Sequence, residues 1–140
     1  MIQVIDASVA AKWFFTEPGE QEAHAIAESS SALIAPDLLI AEVCNVAWRK
    51  VIARQISAER AQAIGLHLPA LFNRLIPGAD LAPRAIALAI SLRHPVYDCF
   101  YLALAEAAQG ELVTADEKLV QVARNGGFDP RRLRLIRTQD

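Results

Sequence analysis

The chain has little sulfur and no run of residues built to cross a membrane. Cys44 and Cys99 are its only cysteines. They stand apart and follow neither a disulfide framework nor a metal-ligand spacing, which excludes a cystine-built fold and a thiolate metal centre. Each reads as a reduced, small core residue rather than a nucleophile. No apolar stretch reaches the length of a bilayer span. The start, Met1-Ile2-Gln3-Val4-Ile5-Asp6, lacks the basic region of a secretory signal and reads as a first strand. There are no repeats and no low-complexity segments. A formal net charge of -2 gives no electrostatic pointer to nucleic acid. What the chain does have is apolar mass: 140 residues, 54% hydrophobic, with a mean hydropathy of +0.24. Much of the excess is alanine and leucine in helical stretches. One domain over residues 1–140, with buried helices and an apolar face open to a partner, is the expectation.

The pattern alternates strands with helices. Strands are expected at Ile2 to Ile5, Ala32 to Ala35, Glu111 to Thr114 and Leu133 to Ile136. Helices are expected at Ser8 to Phe15, Pro18 to Ser29, Leu38 to Arg54, Pro83 to Arg93, Val96 to Gln109 and Glu117 to Arg124. A further helix, capped by Ser57, runs to Asn73 with a kink or break at Pro69. Val96 to Gln109 is apolar on nearly every side and stops at Gly110, so it is the most buried helix. Such alternation gives a parallel sheet covered on both faces, and ligands then bind outside the carboxyl ends of the strands.

Four acids fall where carboxylates are uncommon. Asp6 and Asp116 end strands, Asp98 opens the most apolar helix, and Glu42 shares a polar stripe with Asn45 and Arg49. Each has a plain structural explanation. Asp6 or Ser8 can cap the first helix, and Thr114 with Glu117 matches a capping box. Asp98 suits the positive end of its helix, and Glu42 can pair with Arg49. Together they point elsewhere. Desolvated carboxylates repel one another unless a cation lies between them, and oxygen ligands select a hard divalent ion.

The segments VIDASVAAKW, PDLLIAEVCNV, HPVYDCFYLALA and LVTADEKL resemble, in order and over essentially the whole chain, the PIN-domain ribonucleases. They are most similar to the VapC-type toxins of bacterial type II (VapBC) toxin–antitoxin pairs. The resemblance implies a PIN-like three-layer α/β/α fold, with a central, mainly parallel sheet of four to five strands flanked by helices. It implies that Asp6, Glu42, Asp98 and Asp116 are a catalytic quartet holding Mg2+ or Mn2+, with Thr114 and Ser8 in support. Glu42 is either a ligand or the group that orients the attacking water. The activity implied is a cytoplasmic metal-dependent endoribonuclease. Its partners would be RNA and a VapB-type antitoxin, in a homodimer that becomes a heterotetramer or larger. The antitoxin is expected on the apolar helices between Leu38 and Leu75.

Lys12, Arg49, Lys50, Arg84, Arg93 and His94 are candidate RNA contacts, each also explicable as a surface charge or loop partner. Trp13 and Trp48 are expected to pack, as is Tyr101. Receiver and haloacid-dehalogenase-like folds are disfavoured: the first strand ends in neither an acidic pair nor Asp-x-Asp, since Ser8 follows the spacer. A non-toxin PIN nuclease, or a non-catalytic PIN assembly module, is the remaining alternative.

Overall fold

A computed structural model describes residues 1–137 of the chain. In chain order it runs β1 (Ile2–Ile5), α1 (Ala7–Ala10), a 3₁₀ turn (Ala11–Trp13), α2 (Glu20–Ala27), β2 (Ala32–Pro36) and α3 (Leu38–Ile52). Then come α4 (Ala58–His67), a 3₁₀ turn (Leu68–Leu71), β3 (Arg74–Ile76), α5 (Gly78–Leu92) and α6 (Val96–Ala108). The chain closes with β4 (Glu111–Thr114), α7 (Glu117–Asn125), a 3₁₀ turn (Pro130–Arg132) and β5 (Leu133–Leu135). All five strands are parallel, in the order β3-β2-β1-β4-β5.

Hydrophobic runs that do not alternate place β1 at the centre. Val4 and Ile5 are consecutive, so they point to opposite faces, and both are fully buried. Helix α6 crosses β1, β2 and β4 and packs along α5, while α1 and α3 pack together against β4 and β2. The result is a three-layer sandwich. From β1 the chain steps to β2 on one side, and β4 later fills the other side. That reversal opens a crevice at the carboxyl ends of β1 and β4. Asp6, Thr114 and Asp116 lie at that crevice. Among the described residues no helix is long and apolar enough to cross a membrane.

Several boundaries differ from the expectation, each for a physical reason. The helix after Ser57 ends at His67, and Pro69 sits in the following 3₁₀ turn. Strand β3 is absent from the sequence reading. It is three residues long and lies at the edge, where Asn73 exchanges two 2.8 Å hydrogen bonds with the Leu33 backbone. So short a strand has no period to detect. Helix α5 begins at Gly78 rather than Pro83, and carries Pro83 inside it. Proline costs the bond to the Ala79 carbonyl, but both residues are exposed and water can take the partner's place. The left-handed residue closing α6 is Gln109, not Gly110. Glycine is needed at 110 for another reason: a Cβ there would lie 3.0 Å from the Ile2 carbonyl oxygen. Trp48, expected to pack, is 58% exposed, because α3 buries Leu39, Val43 and Ala47 on its opposite side. Trp13 does pack, against Phe72, and donates through Nε1 to the Ala23 carbonyl.

Candidate active site at the carboxyl end of the sheet

The turn after β1 sets the site. Asp6 occupies the cap position of α1 with extended backbone, yet its side chain makes no capping bond. Instead its Oδ2 accepts from Ser8 Oγ at 2.6 Å and from Thr114 Oγ1 at 2.7 Å. Ser8 Oγ in turn accepts from the Ala115 amide, and Thr114 Oγ1 from the Asp116 amide, each at 3.0 Å. These hydroxyls stitch the end of β1 to the end of β4. The capping explanation therefore fails for Asp6. Asp116 does cap α7, accepting from the Leu119 amide at 3.1 Å, so Thr114 is not the cap that its spacing to Glu117 implied.

Glu42 and Asp98 reach the same end of the fold from helices. Glu42 does not pair with Arg49; its Oε1 accepts from Tyr101 Oη at 2.6 Å. Asp98 Oδ2 lies 2.6 Å from His94 Nε2, and because a carboxylate can only accept, that nitrogen carries the proton. A shared pattern emerges. Each of the four acids is pinned through one oxygen, and among the described residues the other oxygen has no hydrogen-bond partner. Among those residues, too, no lysine or arginine forms an ion pair with any of the four.

The electrostatics follow from that arrangement. Asp6 is 6% exposed, and burial pushes its carboxyl above the usual range. The hydroxyls of Ser8 and Thr114 offset part of this, while the charges of Asp98 and Asp116 raise it further. Burial likewise raises Glu42; the Tyr101 hydroxyl opposes the shift and the charges of Asp6 and Asp98 add to it. The four acids thus feel one another across the crevice. Among the described residues, no three His, Cys, Asp or Glu side chains stand ready-made to hold one ion. The donor set itself, four hard oxygens unpaired by lysine or arginine, suits Mg2+ or Mn2+.

Thr114 carries a testable load. It is fully buried, and its hydroxyl both donates to Asp6 and accepts from the Asp116 amide. Thr114→Val keeps the shape and orphans that amide, which should cost about 1–3 kcal/mol. Urea unfolding reads this directly; a variant as stable as the parent would contradict the bond's role.

The candidate RNA contacts divide. Lys12, Glu17, Glu42, Asn45 and Arg49 line one depression of about 420 Å³ beside Ser8. Arg49 is exposed there, whereas Lys12 is buried and pairs with Glu17 at 3.1 Å. Arg93 is exposed at the left-handed end of α5. His94, with a side chain 8% exposed, is committed to Asp98. Lys50 lies over the Phe15 ring, and Arg84 pairs with Glu106. Cys99 is buried, its thiol pushed up to about 11 by burial and then by Asp98, so it is no nucleophile. The sequence placed Tyr101 in the core, and it is fully buried; its hydroxyl's bond to Glu42 carried no local signal.

Known proteins share this sequence and fold. Ribonuclease VapC1 of Mycobacterium tuberculosis, in strains CDC 1551 and H37Rv, is 41% identical over 87 residues, 61% of this chain and 63% of the relative. The matched stretch thus spans under two thirds of those proteins' length. Ribonuclease VapC3 of Pyrobaculum aerophilum is 29% identical over 120 residues, 84% of this chain and 92% of that one. Two solved structures share the fold. The crystal structure of PAE2754 from Pyrobaculum aerophilum has a TM-score of 0.67 at 20% identity, covering 87% of this chain and 79% of that one. A toxin–antitoxin complex from Klebsiella pneumoniae has a TM-score of 0.62 at 21% identity, covering 83% and 88%. The family model described as the PIN domain matches residues 4–125, most of the chain, a span within which the four acids lie. The chain belongs to the PIN domain family.

Proposed function

We propose that the protein is a metal-dependent endoribonuclease of a toxin–antitoxin pair. One observation carries the reading: among the described residues, four carboxylates near the switch point of the sheet are unpaired by lysine or arginine, each with one oxygen pinned and one open. The sequence similarity to ribonucleases VapC1 and VapC3 supports it. In this reading Asp6, Asp98 and Asp116 hold Mg2+ or Mn2+. Glu42 either joins them or orients the attacking water. When bound, such an ion supplies neutralisation of the phosphate charge and a water that is nucleophilic near neutral pH. Ser8 and Thr114 fix the aim of Asp6. Arg49 and Arg93, both exposed, take RNA phosphates.

A small antitoxin is the proposed inhibitor, as the toxin–antitoxin complex of like fold favours. Trp48 and Ile52 on α3, with Leu66 and Leu71 beyond it, are 45–75% exposed and form its seat. Hydrogen-exchange protection by the antitoxin at some other face would overturn that placement. The working form is a homodimer, completed by antitoxin to a heterotetramer or larger, and light scattering reads the mass.

The activity is tested by incubating total cellular RNA with antitoxin-free protein and Mg2+ or Mn2+, beside a chelated control. Discrete fragments that vanish with the chelator are expected, and their ends name the target. Intact RNA together with no metal binding would favour a non-catalytic assembly module instead.

A further inference from the structure

Tyr101 stands out among buried polar groups. It is fully buried, three residues after Asp98 on α6, and its Oη donates to Glu42 Oε1 on α3 at 2.6 Å. One phenol therefore joins α6, which carries Asp98, to α3, which carries Glu42. Glu42 lies beside the buried row Leu39, Val43 and Ala47 of α3, and the bond to Tyr101 ties its carboxylate across to α6.

Resting on the ribonuclease reading above, we propose that Tyr101 is a positioning residue. It clamps Glu42 through Oε1 and presents Oε2 to the metal and the attacking water. The clamp is one-directional. The phenol O–H donates, and the Glu42 carboxylate oxygen accepts.

Tyr101→Phe keeps the buried ring and removes only the oxygen. Mn2+ calorimetry and single-turnover RNA cleavage on the parent and the variant, with circular dichroism as a check on folding, give the test. Partners that orient metal ligands typically carry about 10–100-fold in rate or metal affinity, and a loss of that size is expected, with KM for RNA little changed. Rate and Mn2+ affinity falling together would make Glu42 a ligand; rate falling alone would make it the water-orienting base. Either result supports the clamp. Parent-like rate and affinity would overturn it, as would a variant that fails to fold, which would assign the hydroxyl to stability instead. A parent that neither binds Mn2+ nor cleaves RNA would remove the ribonuclease reading, and this inference with it.

Discussion

Asp6→Asn is expected to lower RNA cleavage about a thousandfold or more, which is ~4 kcal/mol of barrier, while leaving the fold intact. Asparagine is nearly isosteric, and its carbonyl oxygen can still accept from Ser8 and Thr114, the two hydroxyls that hold Asp6 Oδ2. What the variant removes is the charge on the atom facing Asp98 and Asp116. Since those charges add to the burial that already disfavours ionised Asp6, the metal-free variant should melt at or above the parent's temperature, by on the order of a few degrees. Loss of activity with gain of stability separates a functional carboxylate from a structural one. A capping role would give the reverse, a loss of about 0.5–2 kcal/mol with activity kept. Parallel kinetics and thermal melts decide between them.

The second large effect joins pH to metal. Asp6 and Glu42 both titrate above their ordinary values in the folded protein, chiefly because of burial. Between the ordinary and the raised values the folded state therefore holds more protons than the unfolded one. Their contribution to stability is fullest below the ordinary carboxylate values. It falls as pH rises through that window and levels off above it. The metal-free protein should accordingly lose stability from these groups on moving from mildly acid to neutral solution. Glu106 and Asp129 are held low by Arg84 and Arg131 and work in the opposite sense, being lost as pH falls, so the comparison is parent against Asp6→Asn. The parent's slope across the window should exceed the variant's. Mn2+ at about a hundred times its Kd should then add about 2.7 kcal/mol at neutral pH, and a chelator should remove both that gain and the cleavage. A melt that ignores Mn2+ at neutral pH would contradict the metal assignment.

Much of the fold could be read from the chain because its strands are short apolar runs with polar residues at their carboxyl ends. Asp6 and Thr114 announce themselves there, and Asp98 does so by opening the most apolar helix. Strand β3 escaped notice because its pairing rests on Asn73 and the backbone of a strand 40 residues earlier. The plain explanations of the acids could be sorted only in three dimensions. Asp6 turned out not to cap, Asp116 to cap, and Glu42 to pair with a tyrosine 59 residues away rather than with its helix neighbour Arg49. Local spacing names the acids well. It is silent on Thr114 for Asp6 and Tyr101 for Glu42, because those donors stand 108 and 59 residues away, whereas Ser8, His94 and the Leu119 amide lie close in sequence to the acids they pin.

The account turns on whether these four carboxylates bind a divalent ion. Calorimetric titration of Mn2+ into the purified, metal-free protein at neutral pH, beside Asp6→Asn, measures that most directly. Saturable binding in the parent, weakened at least tenfold in the variant and accompanied by cleavage of RNA, is the predicted result. Heats no larger than dilution in the parent, or equal binding in both proteins, would mean that the acids of the crevice serve the fold alone.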